Sequence, residues 1–272
     1  MVSETSSGNN PSFFERLKKR RRKFIKQNGK KLIRNLSDFI GRQGLVEDKP
    51  VLNLADFPDV QPLIDNWKPI RKELDEILKH REAIPNFQEV SPDQMRISKG
   101  NNWRTFILYG FGTKLEKNCS QAPITSELLE KVPNLQTAWF SILGPNYHIP
   151  AHRGVTKSIL RCHVGLKIPK KAEDCYLRVD DEICVWREGE GFVFDDTYEH
   201  EVYNNTDEER VILLFDFNRP MKLWGRIINS IFVQAIKLSA YYQEPKKNMQ
   251  TFEERFEAIT RRADENMEKM GD

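Results

Sequence analysis

Leu160-Arg161-Cys162-His163-Val164-Gly165-Leu166-Lys167-Ile168 is the stretch whose reading decides the fold. Read as a strand, it sends Arg161, His163 and Gly165 to one face and Cys162, Val164 and Leu166 to the other. A face that carries Arg and His inside a closed barrel is costly unless something anionic lies against it. The pattern extends on both sides. Trp103–Tyr109, Thr137–Leu143, Cys175–Val179, Ile183–Trp186, Gly191–Phe194 and Arg210–Phe217 all read as short strands separated by turn residues. Many short strands at close spacing predict a mainly β sandwich, jelly roll or barrel. The last strand repeats the chemical signal. Val211 to Phe215 is continuously apolar, which predicts burial, yet the strand begins with Arg210, whose planar fork suits a carboxylate.

Flanking segments organise the 272 residues into one principal domain with appendages. Residues 1–12 read as a disordered tail. Residues 13–41 read as a basic amphipathic helical segment, with Phe14, Leu17, Phe24, Ile25, Leu32, Ile33, Leu36, Phe39 and Ile40 at roughly helical spacing. Arg16 to Arg34 holds eleven Lys or Arg residues and no acid, so the net charge of +3 conceals a strong asymmetry. Such a segment either packs one face on the domain or docks on an anionic membrane. No aromatic-rich recognition motif accompanies it, so no nucleic-acid partner is expected. Residues 42–62, with three prolines, read as a linker, Pro69–Leu78 as a helix, 84–102 as loop and Thr125–Val132 as a short helix. Residues 221–272 read as C-terminal helices. In the first, Leu223, Trp224, Ile227, Ile228, Ile231, Phe232, Ala235 and Ile236 form a wide apolar stripe, for packing on the core or for a membrane interface; the last 30 residues read as a charged, exposed helix.

Apolar residues at 39% and charged residues at 31% fit a soluble protein, and no apolar run approaches the roughly 20 residues that span a bilayer. The polar start of the chain lacks a secretory core, so a cytoplasmic location, at most peripheral at the inner membrane face, is the expectation. Cys119, Cys162, Cys175 and Cys184 form no CxxC pair, which argues against a zinc finger or a thioredoxin-like site. A Cys175–Cys184 bridge across a hairpin is conceivable, but a reducing compartment disfavours it.

His152 and His200 are far apart in sequence, yet in barrels of this class two histidines and one carboxylate on one face can hold iron. The carboxylate normally follows the first histidine as His-x-Asp or His-x-Glu. Here that position is Gly154, so a metal held by His152 and His200 would have extra open positions. Asp195 and Asp196 are placed either to orient His200 or as ordinary turn residues.

The run Ser141-Ile-Leu-Gly-Pro-Asn-Tyr-His-Ile-Pro-Ala-His-Arg-Gly154, then Leu160-Arg-Cys-His-Val-Gly-Leu166, then Phe194-Asp-Asp-Thr-Tyr-Glu-His-Glu-Val202, then Arg210, resembles the aspartyl/asparaginyl β-hydroxylase family over about residues 100–220. That resemblance implies a double-stranded β-helix, jelly-roll or cupin-like, over residues 42–220, and dependence on Fe(II) with 2-oxoglutarate as co-substrate. It implies that His152 and His200 bind the metal, that glycine replaces the acidic ligand, and that Arg210 pairs with the distal carboxylate of 2-oxoglutarate. By the same resemblance Ser141, Arg161 and His163 are further co-substrate contacts, and Trp103 lines the pocket. The flanks Asn53–Trp67 and Phe217–Lys222 look like bacterial lipid A 2-hydroxylases, which act on a fatty acyl chain at the membrane; the glycine and the basic segments depart from that pattern. The expectation is a dioxygenase that hydroxylates an unactivated C–H. Its substrate is a peptide or protein side chain or, alternatively, a lipid acyl chain. A non-catalytic β-barrel binding module is the alternative of another class.

Overall fold

The computed structural model describes residues 35–237 and 240–271. Eleven strands are described: β1 (Val51–Leu52), β2 (Trp103–Gly110), β3 (Thr113–Lys114), β4 (Leu135–Leu143), β5 (Tyr147–His152), β6 (Ile159–Lys167), β7 (Cys175–Val179), β8 (Glu182–Val185), β9 (Gly191–Phe194), β10 (His200–Asn204) and β11 (Arg210–Asn218). They form two antiparallel sheets, one ordered β1-β9-β6-β11-β4-β2-β3 and the other β5-β10-β7-β8. From β4 onward the chain passes back and forth between the sheets, which is the winding of a double-stranded β-helix. The predicted fold class is the one observed.

Side-chain alternation explains the continuous apolar run in β11. Val211, Leu213 and Phe215 join Cys162, Val164 and Leu166 of β6 on the back of the larger sheet, against Leu63, Ile70, Leu74 and Ile77. Ile212 and Leu214 face the other sheet, with Leu143, Ile149, Leu177, Trp186 and Phe194. Both faces of β11 are therefore covered, and nothing in it needs to be polar for solvent.

Several boundaries differ from expectation. The segment 42–62 is not a linker: β1 extends the larger sheet beside β9, and Phe57 and Val60 are core residues. The predicted helices run instead from Trp67 to Leu78 and from Pro123 to Glu130. The loop 84–102 contains a short helix, Phe87–Val90, closed by an Asn86–Glu89 capping box. Strands β5 and β10 escape a hydrophobic reading because they carry polar outer faces. Pro150 is tolerated in β5, which lies at a sheet edge. In the hairpin β7–β8, Cys184 faces Leu177 rather than Cys175, and all four cysteines are free.

The predicted disordered tail 1–12 and the basic helical segment as far as residue 34 lie outside the described residues; residues 35–42 are helical. The final helix, Ala240–Gly271, is docked through its middle rather than exposed. Met249 and Phe256 are buried, Phe256 meets Phe106 edge-on at 4.8 Å, and Glu253 accepts the backbone N–H of Lys117 at 2.8 Å. The helix Leu223–Lys237 shows the reverse: much of its described apolar stripe faces solvent. Among the described residues no helix is long and apolar enough to cross a membrane.

Truncating Phe256 removes a buried ring from the junction of the final helix and β2. Phe256→Ala is expected to lower unfolding free energy by about 3–5 kcal/mol. Urea denaturation measures this, and a loss below ~1 kcal/mol would contradict the docking described.

Candidate active site

Strands β5 and β10 pair with His152 directly opposite His200, the last residue of one strand against the first of the other. The imidazole centroids lie 4.1 Å apart. Each ring is held by the backbone two residues earlier. His152 Nδ1 is 2.8 Å from the Pro150 carbonyl, and His200 Nδ1 is 3.0 Å from that of Tyr198. A carbonyl can only accept, so each Nδ1 carries the proton and each Nε2 keeps its lone pair. Burial pushes His152 down to about 4, and burial with His152 alongside pushes His200 down to about 3. Both are neutral bases near pH 7, the form that binds metal. His200 Nε2 is buried with no hydrogen-bond partner.

Gly154 closes against Asp196. Its N–H donates to the Asp196 carbonyl at 2.6 Å, and a Cβ at this position would collide with the Asp196 carboxyl group. The space where an acidic third ligand would start is thus filled by a carboxyl from the other strand connection. Burial pushes Asp196 up to about 7, against the pull of Arg161 at 3.5 Å. Its Oδ1 has no partner. Asp195 does not serve His200: it accepts from Thr197 and pairs with buried Arg219. Among the described residues no three His, Cys, Asp or Glu side chains form a metal cluster. Two neutral imidazoles with a free Nε2, beside an unpaired carboxyl oxygen, still fit a divalent ion that keeps open positions for other ligands.

Arg210 is 1% exposed and forms no ion pair with a carboxylate among the described residues. Its Nη1 donates to the carbonyl and hydroxyl of Ser141, at 3.2 and 3.3 Å, and its Nε has no partner. The guanidinium lies 4.6 Å from the Trp186 ring centroid. Burial lowers it to about 10, which leaves it charged at neutral pH. An uncompensated buried cation is expensive, and a carboxylate arriving from outside would relieve it. Trp103 Nε1–H donates to the same Ser141 hydroxyl at 3.1 Å, and Phe87 stacks on Trp103 at 4.0 Å.

His163 is held by a residue that sequence reasoning did not single out. Trp186 Nε1 lies 3.3 Å from His163 Nδ1. Indole can only donate, so Nδ1 is the acceptor and Nε2 carries the proton. That Nε2–H is buried without a partner, and burial together with Arg161 and Arg210 keeps the ring neutral. The signal available in sequence was a lone Trp ending a predicted strand, since a buried indole N–H requires an acceptor.

Arg161 is brought beside the histidines, but its charge is already answered. It forks onto Asp216 at 2.7 and 3.0 Å, its direct cross-strand partner. The anionic group expected against the Arg161 and His163 face is therefore, for Arg161, part of the chain. A cavity of about 520 Å³ lies apart from these residues, between the larger sheet and the helix Leu223–Lys237.

Residues 64–220 match the family model described as aspartyl/asparaginyl beta-hydroxylase. An ornithine lipid ester-linked acyl 2-hydroxylase of Rhizobium tropici is 39% identical over 209 residues, covering 77% of this chain and 74% of that protein. The human aspartyl/asparaginyl beta-hydroxylase is 34% identical over 166 residues, covering 59% of this chain but only 21% of that protein. The chain thus spans about a fifth of the length of that animal relative. Among solved structures, a Pseudomonas putida prolyl-4-hydroxylase aligns at a TM-score of 0.38 and 16% identity, over 60% of this chain and all of that one, which is too distant to carry an argument.

Two substitutions test this geometry. Arg210→Met removes a buried charge that has no counter-ion, so stability is expected to hold or rise by up to ~2 kcal/mol; a loss of more than ~1 kcal/mol in thermal unfolding would mean the chain itself neutralises Arg210. Trp186→Phe keeps the packing and deletes the donor. Imidazole ¹⁵N shifts should then show His163 leaving its single Nε2–H tautomer, whereas unchanged shifts would remove Trp186 from this role.

Proposed function

The chain belongs to the aspartyl/asparaginyl β-hydroxylase family, and we propose that it is an Fe(II)- and 2-oxoglutarate-dependent hydroxylase of an ester-linked acyl chain on a membrane amphiphile. The observation that carries the co-substrate is Arg210, a buried guanidinium without an acidic partner among the described residues, at the head of the strand that follows His200 in the chain. The similarity that supports an acyl substrate is the 39% identity to the Rhizobium tropici enzyme, over most of both chains.

An iron ion held by His152 and His200 would supply the oxidising power for hydroxylation, with 2-oxoglutarate as the co-substrate that takes up the second oxygen atom of O2 as succinate and CO2 form. The chain supplies position and protonation state. His152 and His200 offer Nε2 lone pairs from rings locked by backbone carbonyls, while Gly154 brings no third ligand and the Asp196 carboxyl fills the space a side chain there would take. Arg210 and the Ser141 hydroxyl receive the distal carboxylate of the oxo-acid. His163, fixed as an Nε2–H donor by Trp186, offers a further bond to an anionic oxygen. Arg161, anchored by Asp216, adds positive charge beside them, and Trp103 holds the Ser141 hydroxyl in place. Phe192 and Phe194 flank His163 at 5.5 and 5.0 Å and keep that wall dry.

A second reading, β-hydroxylation of an Asp or Asn side chain in a protein, is favoured by the family description and by the 34% identity to the human enzyme. The likeness of the flanks to lipid A 2-hydroxylases points to the same class of bond as the first reading, on a different headgroup. In that first reading the enzyme works at the inner surface of an anionic membrane.

Succinate release by iron-loaded protein, with mass analysis of the product, separates these readings. Stimulation by an ester-linked acyl amphiphile and gain of one oxygen at its acyl chain are expected. Stimulation by Asp or Asn peptides alone would transfer the assignment to the second reading. His152→Ala should reduce turnover by more than the ~10–100-fold typical of losing an outer-shell partner of a metal ligand; unchanged turnover would break the metal assignment.

A further inference from the structure

The helix Leu223–Lys237 does not use its most apolar face to pack. Leu223, Trp224, Ile227 and Ile231 are 59%, 68%, 42% and 66% exposed. At helical spacing these four fall within an arc of about 100°, so they form one stripe. The face turned inward instead presents Gly225, close against Gln43 and Met221, and Asn229, which lines the 520 Å³ cavity. A contiguous apolar stripe facing water on a soluble domain marks a contact surface.

Its surroundings say which. Lys222, immediately before this helix, and Arg226 on it are exposed. Backbone bonds tie its start to the N-terminal segment: Lys222 N–H donates to the Gln43 carbonyl at 2.9 Å, and Leu45 N–H to that of Pro220 at 2.9 Å. Exposed Arg42 and the 64% exposed Leu45 therefore border the stripe. The chain leading into residue 35 carries the eleven basic residues between Arg16 and Arg34. Like charge disfavours that segment as the cover of a face already flanked by Lys222 and Arg226, while an anionic surface attracts both.

We propose that Leu223, Trp224, Ile227 and Ile231, with Leu45, form an interfacial docking face that inserts into an anionic lipid surface, with Lys222, Arg226 and Arg42 set against the headgroups. An amphipathic helix with Trp on its apolar side and basic residues beside it has the composition of such a face. The position suits the active site. The helix 35–42 connects to the loop that follows Gly154, where Ser37 accepts the Lys157 N–H at 2.8 Å and Val155 is 55% exposed. Docking would hold the mouth beside His152 close to lipid. The inference deepens the acyl-chain reading and rests on it for the identity of the surface.

The test uses the full chain with vesicles of phosphatidylcholine, with and without phosphatidylglycerol, at low and high salt. The protein should cosediment with the anionic vesicles only, and less so as salt screens the attraction. Acyl chains brominated near the headgroup should quench its tryptophan emission. Trp103 and Trp186 are buried and Trp67 and Trp139 partly so, so Trp224→Phe should remove most of that quenching. Trp224→Ser combined with Ile231→Ser should lower vesicle affinity about tenfold or more, while lipid-free succinate release stays at the wild-type level and shows the domain intact. Absence of binding to anionic vesicles at low salt overturns the inference. So does binding or quenching that these variants leave unchanged, which would assign the contact to residues 16–34 alone. Concentration-dependent dimers abolished by the double variant, without vesicle binding, would assign the face to a second copy and overturn it too. Docking as expected without acyl hydroxylation would uphold the inference and end the acyl-chain reading.

Discussion

The interior of the barrel is organised by a buried positive charge that no described residue answers. Arg210 sits at the start of β11 with Ser141 on one side and the Trp186 ring on the other, and among the described residues no carboxylate meets it. Arg161, on the adjacent strand, shows what a neutralised guanidinium looks like in this fold, because Asp216 grips it across the sheet. The contrast separates a guanidinium paired within the sheet from one whose described partners are all neutral. Trp186 serves both sides of that division. It lies against the Arg210 guanidinium and donates to His163, so that charge and donor share one wall.

Neighbouring groups are arranged by what each can no longer do. His152 and His200 have surrendered Nδ1 to backbone carbonyls, His163 has surrendered Nδ1 to an indole, and burial keeps all three neutral. What remains is two lone pairs and one N–H, each fixed before any ligand arrives. Gly154 is required by the same logic, because the Asp196 carboxyl already occupies the volume that a side chain would need. Pre-fixing of this kind lowers the entropy lost when any ligand binds these groups.

The rim of the site is tied to the N-terminal segment by a second charge cluster. Arg219 and Asp195 pair in full burial, Arg219 also donates to the Lys157 carbonyl at 2.9 Å, and Ser37 holds the Lys157 N–H. These bonds connect the loop after Gly154 to residues 35–48 and, through Gln43 and Pro220, to the helix Leu223–Lys237. Chemistry in the barrel and the exposed apolar stripe thereby belong to one continuous rim rather than to separate modules.

Much of the site was legible in the chain because period-2 alternation is a local property. It placed Arg161 and His163 on one face, marked β11 as doubly buried with Arg at its head, and together with the motif order around His152, His200 and Arg210 it named the family. Strands β5 and β10 were not legible, because their polar outer faces and Pro150 break the hydrophobic signal that local reading depends on. What only the tertiary structure decided is partnership. The register of His152 on His200, the Asp216 that answers Arg161 and the indole that sets His163 all join residues tens of positions apart. The same is true of burial: the stripe from Leu223 to Ile231 reads first as core packing and alternatively as a membrane interface. Its exposure follows only from which face of the helix turns toward the rest of the domain, since amphipathic spacing specifies a face and not its partner.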